Sequence, residues 1–213
     1  MLISLGSACR VRESIDRFNN FRVETNFFDW LITNFATVLF IIQNIDHPQN
    51  FLTYDKFVQK GVFSNNLTHY TVDHTQLYFS SLHDFPVNMD YHVYMNTFLD
   101  KYKRRLQRLK NIILNNEKIH FIHMICFESF IPSIEQIYFF VTKIKELNAN
   151  CNFTLHLLIP PELHNQADKI NLLVICTNVK IHYMVVNSPH LIESNMQRLE
   201  LNWQDIYNSF SMS

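Results

Sequence analysis

Between Lys118 and Val186, three apolar strand-like runs alternate with two stretches of helical spacing. The runs are Lys118 to Ile125, Asn152 to Ile159 and Val179 to Val186; the helical stretches are Pro132 to Leu147 and Glu162 to Val174. Strands joined one after another by helices pair in parallel, because each helix carries the chain back over the face of the sheet to the edge it started from. The alternation predicts an α/β fold: a mostly parallel sheet with helices on both faces, in Rossmann-like or flavodoxin-like layers. Residues 1–6 (Met-Leu-Ile-Ser-Leu-Gly) read as a short buried strand of the same sheet. Through Ser7-Ala8-Cys9 that strand feeds directly into a helix over Arg10 to Phe18.

The remaining elements follow from periodicity and punctuation. Tyr91, Met95, Phe98, Tyr102, Leu106, Leu109 and Ile113 recur every three or four residues, which predicts a long amphipathic helix over Met89 to Leu114. Ser133-x-x-Gln136 is a capping box that opens the helix before Leu147, and Pro160-Pro161 closes the strand at Ile159. Asp29 to Ile45 has helical spacing up to His47-Pro48, and Leu201 to Phe210 reads as a closing helix with Trp203, Ile206, Tyr207 and Phe210 inward. Residues 51–85 read as an irregular or hairpin insertion. No Pro/Gly/Ser-rich linker divides the chain, so residues 1–213 are expected to form one domain.

Composition narrows function mainly by exclusion. Gly6 and Gly61 are the only glycines. Neither the dinucleotide fingerprint nor the P-loop can be built from them, since each needs several glycines within a few residues. No cofactor is expected. A net charge of −1 argues against nucleic acid or an anionic membrane as the main partner. The apolar runs Phe35 to Ile45 and Ile119 to Ile125 are too short to span a bilayer, and Met1 leads straight into a strand rather than a signal peptide. Cysteines 9, 126, 151 and 176 form no Cys-x-x-Cys pair, which fits a reducing cytoplasm. No metal site is expected either. His120 and His123 point to opposite faces of one strand, His69 and His74 stand in the irregular stretch, and His156 and His182 read as structural.

Open parallel sheets bind ligands beyond the carboxyl ends of their strands, and Cys9 falls there. It stands at the start of a helix, where unpaired amides and the dipole favour a thiolate, and Arg10 and Arg12 add positive charge. His83, in Leu82-His83-Asp84-Phe85-Pro86, is the best candidate base among eleven histidines. Its neighbour Asp84 is a poor orienter, since adjacent side chains diverge along an extended chain; it could instead cap the next helix or bind substrate. Asp29 is the better third member, or else the N-cap of a helix beginning at Trp30. Lys101 to Arg108 forms a basic run that reads first as a solvated face. Alternatively Arg104, Arg105 or Arg108 reaches the site to hold an anionic group, or pairs internally with Asp29 or Asp84.

Four segments together carry a resemblance: Ile3-Ser4-Leu5-Gly6-Ser7-Ala8-Cys9, Phe27-Phe28-Asp29-Trp30-Leu31, His83-Asp84-Phe85, and Tyr102-Lys103-Arg104-Arg105-Leu106 with Arg108. In order and approximate spacing, over residues 1 to about 125, the chain resembles a family of bacteria and large DNA viruses described as papain-like cysteine peptidases. The family's usual Gly-Ser-Asn-Cys is Gly-Ser-Ala-Cys here, so a contact made by that asparagine is absent. The resemblance implies that Cys9 is the nucleophile and His83 the base. A papain-like order would place the cysteine on a central helix and its histidine on a later antiparallel sheet, whereas the alternation here favours Rossmann-like layers.

The expected function is a cysteine-dependent hydrolase or acyl-transfer enzyme acting on a peptide, acyl or glycan-type substrate. Cys9 would attack, His83 move protons, and Asp29 or Asp84 orient; Ser7, Arg10, Trp30, Arg104, Arg105 and Arg108 would contact substrate. One alternative is a non-catalytic module binding an anionic or glycan ligand through Ser7, Arg10 and the Arg104–Arg108 stretch. Another is a serine esterase of the SGNH type built on Ser7. The esterase would need a late Asp-x-x-His, and the nearest match is Asn187-Ser188-Pro189-His190.

Overall fold

The structure is a computed structural model describing residues 1–6, 9–18, 25–62, 68–115, 118–166, 178–185 and 203–211, apart from the side chains of residues 9, 10, 17, 18 and 211. In chain order its main elements are β1 (Leu2–Ser4), α1 (Cys9–Phe18), β2 (Leu31–Thr33), α2 (Phe35–Gln43), β3 (Phe57–Val62), β4 (His69–His74), β5 (Phe79–Pro86), α3 (Tyr91–Asn115), β6 (Lys118–Met124), α4 (Ile134–Leu147), β7 (Asn152–Ile159), β8 (Val179–Tyr183) and α5 (Trp203–Ser211).

The parallel sheet has the order β1-β6-β7-β8, with Leu2 opposite His120, Ile119 opposite Phe153 and Leu155 opposite Val179. Its two central strands, β6 and β7, are short apolar runs buried along most of their length, as strands covered by other layers must be, whereas the edge strand β8 is mostly half-exposed. The capping box at α4 forms as the sequence predicts: the Ser133 amide donates to Gln136 Oε1 at 3.0 Å and the Gln136 amide to Ser133 Oγ at 3.3 Å. The apolar stripe of α3 is buried at Met95, Phe98, Tyr102, Leu106, Leu109 and Ile113.

The expectation of a mostly parallel architecture holds only for this half of the chain. Of the two readings of residues 51–85, the hairpin one holds and the irregular one does not: consecutive strands β3, β4 and β5 pair antiparallel and, with β2, build a second sheet of order β2-β5-β4-β3. Register shifts between Gln59 and Val62 and between Tyr70 and Val72 break the two-residue alternation, which is why the stretch reads as irregular. The protein is therefore a mixed α/β fold with one parallel and one antiparallel four-stranded sheet.

A second correction concerns residues 29–45. A helix cannot run through Trp30, whose φ is +69°. The chain instead turns over residues 27–30 and forms β2, which pairs with β5 through Leu31 opposite Ser81. Asn34, not Asp29, caps α2, its side chain accepting the Thr37 amide at 2.9 Å. After β7 the chain makes a 3₁₀ turn over Pro161–Gln166, and the rest of the expected helix to Val174 lies outside the described residues.

One large apolar cluster joins both sheets. It contains Phe57, Val72, Phe79 and Phe85 from the antiparallel sheet, Phe121, Phe153 and Leu155 from the parallel one, and the inner faces of α2, α3 and α4. A smaller cluster gathers Val11 and Ile15 of α1, Ile122, Met124, Leu158 and Met184, and Trp203, Ile206 and Phe210 of α5. No helix among the described residues is long and apolar enough to cross a membrane.

Candidate active site

The approach to Cys9 is fixed at Gly6. With φ at +78° this residue turns the chain out of β1, and its amide donates to Ser4 Oγ at 3.2 Å. The backbone here is pressed against residues 28–33: a Cβ on Gly6 would strike Thr33 Oγ1 and lie 3.4 Å from the Leu31 carbonyl oxygen. Cys9 is the first residue of α1, so its backbone amide is among those left without an intrahelical acceptor. Ser7 and the side chains of Cys9 and Arg10 lie outside the described residues, as do Asn187 to His190.

One turn into α1, the buried Arg12 holds two carboxylates. Its Nη1 donates to Asp29 Oδ2 at 2.9 Å, while Nε and Nη2 grip Asp16 at 3.0 and 2.7 Å. Asp29 is fully buried in the turn before β2, and the Asn26 amide also donates to its Oδ2, at 2.8 Å. Its Oδ1 has no hydrogen-bond partner. Burial drives the Asp29 pKa up to about 6, against the opposing pull of Arg12, the Asn26 amide and Arg105; Asp16 adds to the rise. Asp29 is therefore neither an N-cap nor a hydrogen-bond partner of His83.

His83 belongs to β5 rather than to a loop, and its side chain is exposed. The edge of the Trp30 ring meets it at 5.9 Å between centroids, and the His69 ring lies 6.5 Å away. Partial desolvation between these rings lowers its pKa; Asp84 and Glu13 pull the other way and His69 reinforces the drop. The imidazole is thus neutral at neutral pH and fit to accept a proton. The Glu13 charge comes from α1, four residues after Cys9, and positions i and i+4 share a helix face. Sequence reasoning missed Glu13, although that spacing would have flagged it.

Asp84 turns away from His83, as adjacent residues on a strand do. It accepts hydrogen bonds from Ser81 Oγ at 2.6 Å and Tyr102 Oη at 2.8 Å, and forms an ion pair with Lys101. Burial pushes its carboxyl up, but the Lys101 charge and these hydrogen bonds together bring the pKa below the ordinary carboxylate value. Asp84 neither caps α3 nor orients the imidazole; it reaches His83 only through its charge.

The basic run on α3 is not simply a solvated face. Lys103 and Arg104 are exposed, but Lys101 pairs with Asp84, Arg108 donates to the Thr25 carbonyl, and the Arg105 guanidinium lies over the Tyr102 ring at 5.1 Å. Arg105 Nη1 is buried without a hydrogen-bond partner, and its charge is felt at Asp29. The inward residues are spaced four and three apart, a single helix face aimed at residues 25–29 and 84. Arg104 lies on the outer side.

Among the described residues, no group of three His, Cys, Asp or Glu side chains could hold a metal ion. His120, His156 and His182 do meet, but in a line. His120 Nδ1 lies 2.9 Å from His156 Nε2, and His156 Nδ1 lies 2.8 Å from His182 Nε2, so the middle imidazole spends both nitrogens on its neighbours.

Fold and site define a class: a mixed α/β protein in which a cysteine opens a helix and a histidine stands on an antiparallel strand within electrostatic reach of that helix. The chain belongs to the family described as "Putative papain-like cysteine peptidase", whose profile matches residues 1–162, from β1 to just beyond β7. Searches of curated proteins and of solved structures each returned no match.

Proposed function

We propose that the protein is a cysteine-dependent hydrolase of peptide-type substrates in which Cys9 is the nucleophile and His83 the proton carrier. The observation that carries this reading is a chain of contacts: Arg12, three residues after Cys9, holds Asp29 at 2.9 Å, and the next residue, Trp30, meets the His83 ring at 5.9 Å between centroids. Family membership supports it independently. In the first step the Cys9 sulfur attacks the substrate carbonyl carbon, and the carbonyl electrons move onto oxygen. The amides at the start of α1, which have no intrahelical acceptor, suit that oxyanion. The imidazole, protonated by the thiol, then returns its proton to the leaving amine as the C–N bond breaks. Water, deprotonated by the same imidazole, hydrolyses the thioester and frees Cys9. Among the described residues no carboxylate is hydrogen-bonded to His83, so the reading is built on Cys9 and His83 as a dyad.

The same reading takes residues 1–213 as one α/β domain, supported by the apolar cluster common to both sheets. A glycan- or anion-binding module is less well supported: Arg108 is spent on the Thr25 carbonyl and Arg104 faces solvent. The test is the pH dependence of iodoacetamide alkylation at Cys9, followed by peptide mass spectrometry. The dyad predicts an inflection well below the free-thiol value of about 8.5, lost in His83→Asn. An ordinary inflection near that value would overturn it.

A further inference from the structure

Asp29 sits within the chemistry-bearing region, yet its hydrogen bonds go to Arg12 and the Asn26 amide and not to His83. We infer that the buried Arg12–Asp29 pair positions the nucleophile, locking the first turn of α1 onto the segment whose next residue, Trp30, borders His83. This inference rests on the dyad reading and reassigns Asp29 from orienting the base to holding the helix of the thiol.

Three observations carry it. Arg12 follows Cys9 by three residues, so any tilt of Arg12 is transmitted to the helix start within a single turn. Its guanidinium is gripped from both sides, by Asp16 through two contacts and by Asp29 at 2.9 Å, which fixes its rotamer. Asp29 is fully buried in a turn pinned by the Asn26 amide and pressed, through Phe28 and Leu31, against Gly6 on the approach to Cys9. Water cannot replace the link at this depth, and losing either partner strands a buried charge.

A positioning link that depends on one buried carboxylate also depends on that carboxylate's protonation. The charged and titratable groups facing Asp29 among the described residues are Arg12 and Asp16 from α1 and Arg105 and Tyr102 from α3. Within its own segment it faces only the Asn26 amide. Cys9 reactivity should therefore fall when Asp29 takes up a proton, through loosening of the helix rather than titration of the thiol.

The experiment is the alkylation profile of Cys9 in the full chain between about pH 4 and about pH 9, for the natural protein and for Asp29→Asn, Arg12→Met, Arg12→Lys and His83→Asn. Asp29→Asn and Arg12→Met should slow alkylation at neutral pH by roughly tenfold or more, as expected for a misplaced reacting group, with Arg12→Lys restoring part of the rate. An inflection near 6 should disappear in Asp29→Asn and persist in His83→Asn. Profiles of Asp29→Asn and Arg12→Met that superimpose on the natural one would overturn the inference while leaving the dyad intact. A natural profile with only an ordinary thiol inflection would overturn the dyad and the inference together. If the Asp29 and Arg12 variants fail to fold by circular dichroism, the His83→Asn profile decides alone, and absence of an inflection near 6 would count against the inference.

Discussion

Gly6 shows how much one residue can fix. Its left-handed φ and the contact a Cβ would make with Thr33 Oγ1 leave no room for a side chain, and Thr33 Oγ1 is itself committed to the Leu5 carbonyl at 3.1 Å. Gly6→Ala should cost about 1–3 kcal/mol in backbone strain, with steric displacement of β2 in addition. Urea denaturation would check this, and an unchanged midpoint would mean the turn is not tight. At this scale the sequence was most legible where a feature depends on position along one element: the start of α1 at Cys9 follows from local pattern, whereas the strand that carries His83 does not. The partners of Asp29 and Asp84 were not legible, because Arg12, Lys101 and Tyr102 meet them only through tertiary packing. Asp29 looked like a cap because a helical spacing of apolar residues continued across Trp30, where the backbone reverses.

At the scale of elements, α5 rests on a line of imidazoles. Phe210 packs 4.0 Å from the His156 ring, 5.6 Å from His120 and 5.5 Å from His182, and Tyr207 shares a hydrogen bond with Ser14 of α1 at 2.8 Å. Burial lowers the pKa of His156 to about 2 and those of His120 and His182 to about 4. Lys180 pushes all three down; Lys118 and the N-terminal amine add to this at His120. A base with a depressed folded pKa binds fewer protons than its unfolded counterpart. Stability is then present above the unfolded value of about 6.5 and is lost as pH falls toward the folded values. Acid should therefore loosen α5 first. In a Trp30→Phe background, leaving Trp203 as the only tryptophan, emission should shift to the red between pH 6 and pH 4. An emission maximum unchanged across that range would contradict the picture. The ladder itself was half legible: burial of His156 in an apolar strand was foreseen, but the stagger that brings His120 and His182 to it depends on strand register.

The whole molecule is organised around a cluster that no single half of the chain could build. The parallel sheet supplies Phe121, Phe153 and Leu155, the antiparallel sheet supplies Phe57, Val72, Phe79 and Phe85, and α2, α3 and α4 lie between and around them. The parallel half was readable because its strands are apolar or alternating runs and the helix between β6 and β7 has a clear period and capping box. The antiparallel half was legible only as one of two readings, a hairpin or an irregular stretch, because two register shifts and the three-residue β2 disguise its alternation. Acid acts on the whole fold through opposing terms. His123, fully buried against Phe35 with its pKa near 4, adds to the loss of stability as pH falls. Asp29 works the other way, since its raised pKa means that its ionised form becomes a burden as pH rises from about 4 to about 6. Three buried histidines, His120, His123 and His156, together with the half-buried His182 outweigh one aspartate, so net stability should decline below about pH 6.5. Urea midpoints measured across that range check the sign, and a midpoint that rises with acid would reverse it.

The central claim is that the thiol of Cys9 and the imidazole of His83 act as a pair. An NMR titration of the His83 ring in the natural protein and in Cys9→Ser measures that coupling at the atoms concerned. A neighbouring thiolate stabilises the imidazolium, so replacing sulfur with a hydroxyl should lower the His83 midpoint by about one pH unit or more. Identical titration curves in the two proteins would show that the groups do not interact and would contradict the account.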